Sequence, residues 1–224
     1  MGIGEERTTM TDANGTAEHW DARYGEHEQF WSGNPNAALV EHVAQLAPGR
    51  ALDLGCGEGA DAIWLAEQGW QVTAVDVSGE ALRRARQAAE DAGVAGSIDW
   101  RQLDLATEFP RGEFDLISAQ FLHSEVELPR EEILRTAAAA VAAGGVLLIE
   151  GHAGIPDWAP QHHHDHDVHL PSSPELLETL SLGEDWEVLV CAEHERIQNG
   201  PNGYIGARQD TTLKLRRSSA ARSR

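Results

Sequence analysis

The sequence predicts an α/β fold: a doubly wound, three-layer α/β/α sandwich around a mostly parallel sheet with a C-terminal antiparallel strand. Three observations lead there. The run Ala51-Leu52-Asp53-Leu54-Gly55-Cys56-Gly57-Glu58-Gly59 is a short apolar strand that ends in an acid and then three glycines at alternate positions. Between residues 37 and 150, short apolar runs alternate with segments of helical period, the pattern of a parallel sheet with crossover helices. Two long strand-like runs, residues 186–197 and 211–217, then close the chain.

The glycine turn carries the first chemical signal. Gly55 and Gly57 have no Cβ, so the chain turns tightly and a ligand can approach the backbone. The helix expected over residues 59–68 aims its free N–H groups and the positive end of its dipole into that turn. A dinucleotide site uses G-x-G-x-x-G, with pyrophosphate on the helix N-terminus. Here the order is D-x-G-x-G-x-G, and Ala60 stands where the third dinucleotide glycine would fall. An acid two residues before the first glycine repels phosphate and suits an ammonium group. S-adenosylmethionine (SAM) has an α-amino group and a sulfonium but no phosphate. Asp76 ends the second apolar run, where an acid accepts hydrogen bonds from ribose hydroxyls. Asp104 lies near the end of the third, where an adenine amino group is met.

Residues 53–59, Asp76 and Asp104 resemble the binding motifs of class I SAM-dependent methyltransferases, and the resemblance covers residues 37–217. Within that superfamily the chain is similar to the small tellurite-resistance and thiopurine type. Those carry an aromatic N-terminal segment like Trp20-Asp21-Ala22-Arg23-Tyr24 followed by Phe30-Trp31-Ser32-Gly33. The resemblance implies a Rossmann-like fold, SAM as cofactor and methyl transfer to a small-molecule acceptor. It points to soft sulfur, selenium or tellurium nucleophiles, although relatives also methylate oxygen and nitrogen. It places Asp53, Gly55 and Gly57 at the methionine end, Asp76 at the ribose, and Asp104 with Leu105 at the adenine, with Cys56 and Val77 as further residues lining the cofactor. Ala119 and Gln120 would form the pocket floor. Trp31 would close over the cofactor as part of a lid, residues 17–35, and exclude water from a reaction that consumes charge.

Composition sets the bounds. The 224 residues suit one domain, expected over 17–217, with disordered tails at 1–16 and 218–224. No run of 18 apolar residues predicts a membrane span, and the N-terminus has no apolar signal core. Two cysteines, one of them in the glycine turn, make no disulfide framework, so a reduced cytoplasmic protein is expected. A formal net charge of −20 argues against a nucleic-acid partner, because phosphate backbones are repelled.

The elements follow in order. Residues 18–24 form a short helix with Trp20 and Tyr24 four apart on one face. Apolar residues recur at helical period over 36–46, and Pro48-Gly49 stops that helix. Strand one is 51–54. The helix after the glycine turn buries Ile63, Leu65 and Ala66 and ends at Gly69. Strand two is 71–75. Ser78 caps a helix that runs to about Ala92. Strands three and four are 98–103 and 114–119. An alanine-rich helix covers 129–143, closed by Gly144-Gly145, and strand five is 146–150.

Acceptor chemistry belongs at the carboxyl ends of strands four and five. His123 and His152 fall there, and imidazole titrates in the range of a general base, though a soft nucleophile needs none. The loop after strand five holds five of the eleven histidines, in Gln161-His162-His163-His164-Asp165-His166-Asp167-Val168-His169. His162, His164 and His166 are candidate ligands for a divalent transition metal, although the spacing matches no standard metal motif. Cys56 has acidic neighbours, which raise a thiol pKa, so it reads as a small residue lining the cofactor. Two alternatives stand beside the methyltransferase: a metal-assisted enzyme that uses the SAM site and the histidine loop, and a non-catalytic SAM- or metal-binding module. Oligomeric state is not legible.

Overall fold

A computed structural model describes residues 13–154, 170–199 and 204–219. Seven strands form one sheet: β1 (Arg50–Leu54), β2 (Gln71–Asp76), β3 (Ile98–Gln102), β4 (Phe114–Gln120), β5 (Val141–His152), β6 (Trp186–Asn199) and β7 (Ile205–Arg217). Their spatial order is β3-β2-β1-β4-β5-β7-β6. The first five strands are parallel, and β7 runs antiparallel to both β5 and β6. The strand order reverses between β1 and β4, and open α/β sheets bind ligands at that switch point, outside the carboxyl ends.

Among the described residues six α-helices accompany the sheet: α1 (Ala13–Gly25), α2 (Ala37–Val43), α3 (Ala60–Glu67), α4 (Gly79–Asp91), α5 (Arg130–Ala139) and α6 (Ser173–Leu180). Alternating side chains split the core into two layers. Leu52, Leu54, Ile117, Leu147, Ile149 and Leu213 pack with α5 and α6. Ala51, Leu116, Leu148 and Val72 pack on the other face with α2 and α3. Both clusters are near zero exposure, as expected for strands covered on two faces.

Several boundaries differ from the sequence expectation. Helix α1 begins at Ala13, inside the segment assigned to a tail, and Thr16 is already buried. Helix α2 stops at Val43. In α3, Leu65 and Ala66 are buried, but Asp61 and Ala62 take the other inner positions and Ile63 is only partly covered. The alanine-rich helix ends at Ala139 rather than running to 143. Val141 pairs with Phe114 in the sheet, so strand β5 begins there, and the pairing is irregular before Val146 meets Leu116. Even alanine's helix propensity is a weak local preference, and sheet pairing overrides it. Gly144 lies inside the strand at φ +82°, where a side chain would be strained. Helix α6 has no counterpart in the sequence reading. Its signal is a capping box between Ser172 and Glu175, with Pro174 in the first turn. The segment 155–169, which carries His162, His164 and His166, lies outside the described residues.

The glycine turn is tight for steric reasons. At Gly59, φ is +84°, and a Cβ would sit 2.5 Å from the Trp100 ring and 2.8 Å from the Ala85 methyl. Gly59→Ala should therefore lower unfolding stability by about 2–4 kcal/mol in urea denaturation. A loss below ~0.5 kcal/mol would contradict this packing.

Candidate functional site

A cavity of about 650 Å³ opens at the carboxyl ends of β1, β2 and β4. Its size is within the range of small-ligand sites, roughly 300–1,000 Å³. The predicted residues Trp31, Asp53, Gly55, Cys56, Gly57, Asp76, Val77, Asp104, Leu105, Gln120, His123 and His152 all line it. Ala119 does not: it is fully buried in the core beneath, because strand alternation turns it away from Gln120.

Three carboxylates converge on the glycine turn. Asp76 accepts N–H bonds from Gly57 (2.8 Å) and Ser78 (2.9 Å). Asp61 accepts the Asn36 backbone N–H at 2.7 Å and its side-chain amide at 2.8 Å. Asp53 is 2% exposed, and its Oδ2 has no hydrogen-bond partner among the described residues. Burial, then the charges of Asp61 and Asp76, push the Asp53 carboxyl well above the usual carboxylate range. Burial also raises Asp61 and Asp76, but hydrogen bonds to their charged forms oppose it. The Oε1 of Gln120 is a second buried acceptor without a partner among the described residues. A buried acceptor left unmatched costs free energy until a donor arrives, and both point to a cationic or amino ligand. Cys56 is held as a thiol, because burial and the Asp76 and Asp53 charges raise its pKa well above normal.

The N-terminal segment is fastened to the same turn. The Glu58 carboxylate accepts the backbone N–H groups of Phe30 and Trp31 and pairs with Arg84 at 2.8 Å. Arg84 also donates to the Tyr24 carbonyl. Asp21 accepts from the Ser78 hydroxyl at 2.6 Å and the Glu80 N–H at 3.0 Å. Trp31 is 55% exposed at the cavity mouth, and its indole N–H donates to the Tyr24 hydroxyl at 3.2 Å. Aromatic content marked this segment in the sequence. Asp21, Glu58, Asp61 and Arg84 did not stand out, because charged residues gain meaning only once the fold brings their partners close.

At the other end of the cavity, β5, β6 and β7 bring together residues far apart in sequence. His152 Nδ1 lies 2.9 Å from Asp210 Oδ1, and Arg196 Nε donates to Asp210 Oδ2. Burial alone would raise Asp210, but its bonds to His152 and Arg196 hold it below the usual value. The ionised carboxylate fixes the proton of His152 on Nδ1 and leaves the Nε2 lone pair available. Burial lowers the His152 pKa, so the ring is neutral at pH 7. His123 stacks on it at 5.1 Å, and its Nε2 accepts the His152 backbone N–H at 3.2 Å. That lone pair is therefore taken, and burial followed by the Arg130 charge drives the His123 pKa down to about 3. His123 is a neutral hydrogen-bonding group rather than the base the sequence suggested. Phe121 has φ +51°, a strained conformation for an aromatic residue, and its ring packs on His152.

Among the described residues, Glu150, His194 and Asp210 offer ligand atoms within 4.8 Å of one another. They fit a dication poorly. Asp210 is already bonded to Arg196 and His152, and Glu150 accepts the Thr212 hydroxyl at 2.6 Å.

The family described as "Methyltransferase domain" matches residues 51–145, from β1 into β5. The ubiquinone biosynthesis O-methyltransferase of Xanthomonas euvesicatoria pv. vesicatoria (strain 85-10) is 35% identical over 136 residues, 58% of this chain and 54% of that protein. The chain spans about half the length of such curated relatives. Among solved structures, a protein of echinomycin biosynthesis, studied for conversion of a disulfide bond into a thioacetal group, has a TM-score of 0.66 at 24% identity. That alignment covers 92% of this chain and 94% of the other. The N-methyltransferase NodS of Bradyrhizobium japonicum WM9, in complex with S-adenosyl-L-homocysteine, has a TM-score of 0.62 at 19% identity, with 90% and 98% covered. These likenesses show the fold.

Glu150 generates a stability prediction. It is 1% exposed, and burial raises its pKa from 4.5 to about 7. The folded protein thus favours the protonated form. That contribution is complete below about pH 4.5 and is lost as pH rises through 7. Glu150→Gln removes the titration, so the variant should gain on the parent between pH 5 and 8, by up to about 3 kcal/mol. Thermal denaturation at both pH values checks this; a constant difference would contradict it.

Proposed function

We propose that this chain is a class I SAM-dependent methyltransferase that transfers the methyl group of SAM to a small-molecule acceptor. The observation that carries the reading is that Asp53, whose Oδ2 has no partner among the described residues, lines the same cavity as His152, which Asp210 holds from behind. The residues present fit SAM. Asp53 and Gln120 offer unmatched acceptors to its ammonium group, Asp76 stands at the end of β2 for the ribose, and Asp104 with Leu105 flanks the adenine position. When bound, SAM supplies a methyl group activated by a positively charged sulfur. The chain holds the acceptor in line with that methyl, and geometry of this kind is a large part of rate enhancement. The N-terminal segment acts as a lid, with Phe30 and Trp31 tied to Glu58 over the glycine turn.

His152 is the group placed to remove a proton from the acceptor, through Nε2, with Asp210 holding its orientation. We propose that the nucleophile is a soft chalcogen. A base whose conjugate acid lies below the ordinary imidazole range suits a thiol, with pKa about 8.5, better than a phenol near 10. The aromatic N-terminal segment, similar to that of the tellurite and thiopurine type, supports the same class.

Two outcomes test the reading. Asp53→Asn should weaken SAM and S-adenosylhomocysteine binding by about 10- to 100-fold in calorimetry, since a charged hydrogen bond is lost. Unchanged affinity would overturn the ammonium site. His152→Ala should lower kcat for a thiol acceptor by about 100-fold or more at pH 7, with little change in SAM affinity. In the parent enzyme kcat should hold down through pH 6.5 and fall only below it, because burial lowers the His152 pKa. An acid limb above pH 7, or faster turnover of a phenol than of the matching thiol, would contradict the assignment.

A further inference from the structure

We propose that the acceptor carries an anionic group, a carboxylate or comparable oxyanion, and that Arg196 and Arg208 form its subsite. The inference rests on the methyl-transfer reading for the role of the ligand but on separate residues for its chemistry.

Arg196 on β6 and Arg208 on β7 are direct cross-strand partners. Like charges placed opposite each other destabilise a sheet, so the pair carries a cost that the fold alone does not require. Both line the wall of the cavity that also holds His123 and His152. Each guanidinium is anchored at one corner. The Nε of Arg196 donates to Asp210, and the Nε of Arg208 donates to the Gly154 carbonyl at 3.0 Å. The terminal nitrogens of both have no hydrogen-bond partner among the described residues, which leaves the paired donors of a guanidinium fork free. Arg196 also lies over the Phe121 ring at 5.2 Å, which holds its plane.

The local charge balance favours an anion. Asp210 is bonded to Arg196 and His152, and its charge is also the favourable one felt by Arg208. The next carboxylate, Glu150, is engaged by Thr212 and His194. His152 and His123 are neutral at pH 7. Arg130 adds a further cation near His123, and its buried Nε has no partner among the described residues. A surplus of positive charge thus gathers at one end of the cavity in a chain of net charge −20, whose other end holds Asp53, Asp61 and Asp76. The cavity is polarised, acidic for the ammonium and sulfonium of SAM and basic for its co-substrate. A bound anion would offset the Arg196–Arg208 repulsion and set the nucleophile beside His152.

The test is calorimetric titration of the full chain, saturated with S-adenosylhomocysteine, with 4-mercaptobenzoate, its methyl ester and inorganic phosphate. The acid should bind about tenfold or more tightly than the ester. Arg208→Gln should abolish that advantage while the affinity for the ester, for S-adenosylhomocysteine and the thermal midpoint stay within twofold or a few degrees of the parent. Arg196→Gln should do the same for the acid and also disturb the pH profile through Asp210. Phosphate that competes as well as the acid would assign the subsite to a free oxyanion; phosphate that does not would assign it to a carboxylate on an organic acceptor. Equal binding of acid and ester, no binding of either, or equal loss of both in Arg208→Gln would overturn the proposal. If S-adenosylhomocysteine itself fails to bind, the methyl-transfer reading falls, and the same titrations without it still decide the anion subsite.

Discussion

The unmatched carboxyl of Asp53, buried at the end of β1 between two other acids, is the constraint around which the site is built. Three carboxylates in so little space would repel, and the chain deals with two of them locally. Backbone N–H groups of Gly57 and Ser78 satisfy Asp76, and Asn36 satisfies Asp61. Of the three, only Asp53 keeps an oxygen without a partner among the described residues, and Asp53 lines the cavity. Burial and the two neighbouring carboxylates disfavour an ionised Asp53, and a bound cation favours it, so binding and electrostatics are the same event here.

The glycine turn does more than admit a ligand. Its Glu58 holds the backbone of Phe30 and Trp31, its helix offers Asp61 to Asn36, and the following helix offers the Ser78 hydroxyl and the Glu80 N–H to Asp21. The N-terminal segment therefore docks on the residues that shape the binding turn. At Gly57 the backbone is left-handed, and a Cβ would lie 2.9 Å from the Tyr24 hydroxyl. The approach of the segment to the turn depends on that missing atom.

The cofactor half of the site was legible because its signals are local. A strand, an acid and spaced glycines lie within nine residues, and the acids at the ends of β2 and after β3 follow from strand alternation. The acceptor half was legible only as two histidines in the right loops. Asp210, Arg196 and Arg208 sit 44 or more residues beyond His152 in the sequence and reach it only through the β5–β7–β6 pairing, so no spacing reveals them. The roles of the histidines also depend on that pairing: one hydrogen bond takes up the Nε2 of His123, and Asp210 frees the Nε2 of His152. The alanine run misled because helix propensity is a weak local preference, whereas Val141 gains a sheet partner in Phe114.

The central claim is that the Asp53 carboxyl, held above the ordinary carboxylate range by burial and by Asp61 and Asp76, is drawn toward its ionised form by the ammonium group of SAM. The most direct measurement is the proton exchange that accompanies binding, read by calorimetry at pH 6 in buffers of different ionisation enthalpy. An α-amino group, with pKa about 7.7–8.0, is already charged there, so the ligand contributes no proton uptake. The account predicts net proton release on binding of SAM and of S-adenosylhomocysteine, absent in Asp53→Asn. Binding with no proton exchange, or with uptake, would contradict it.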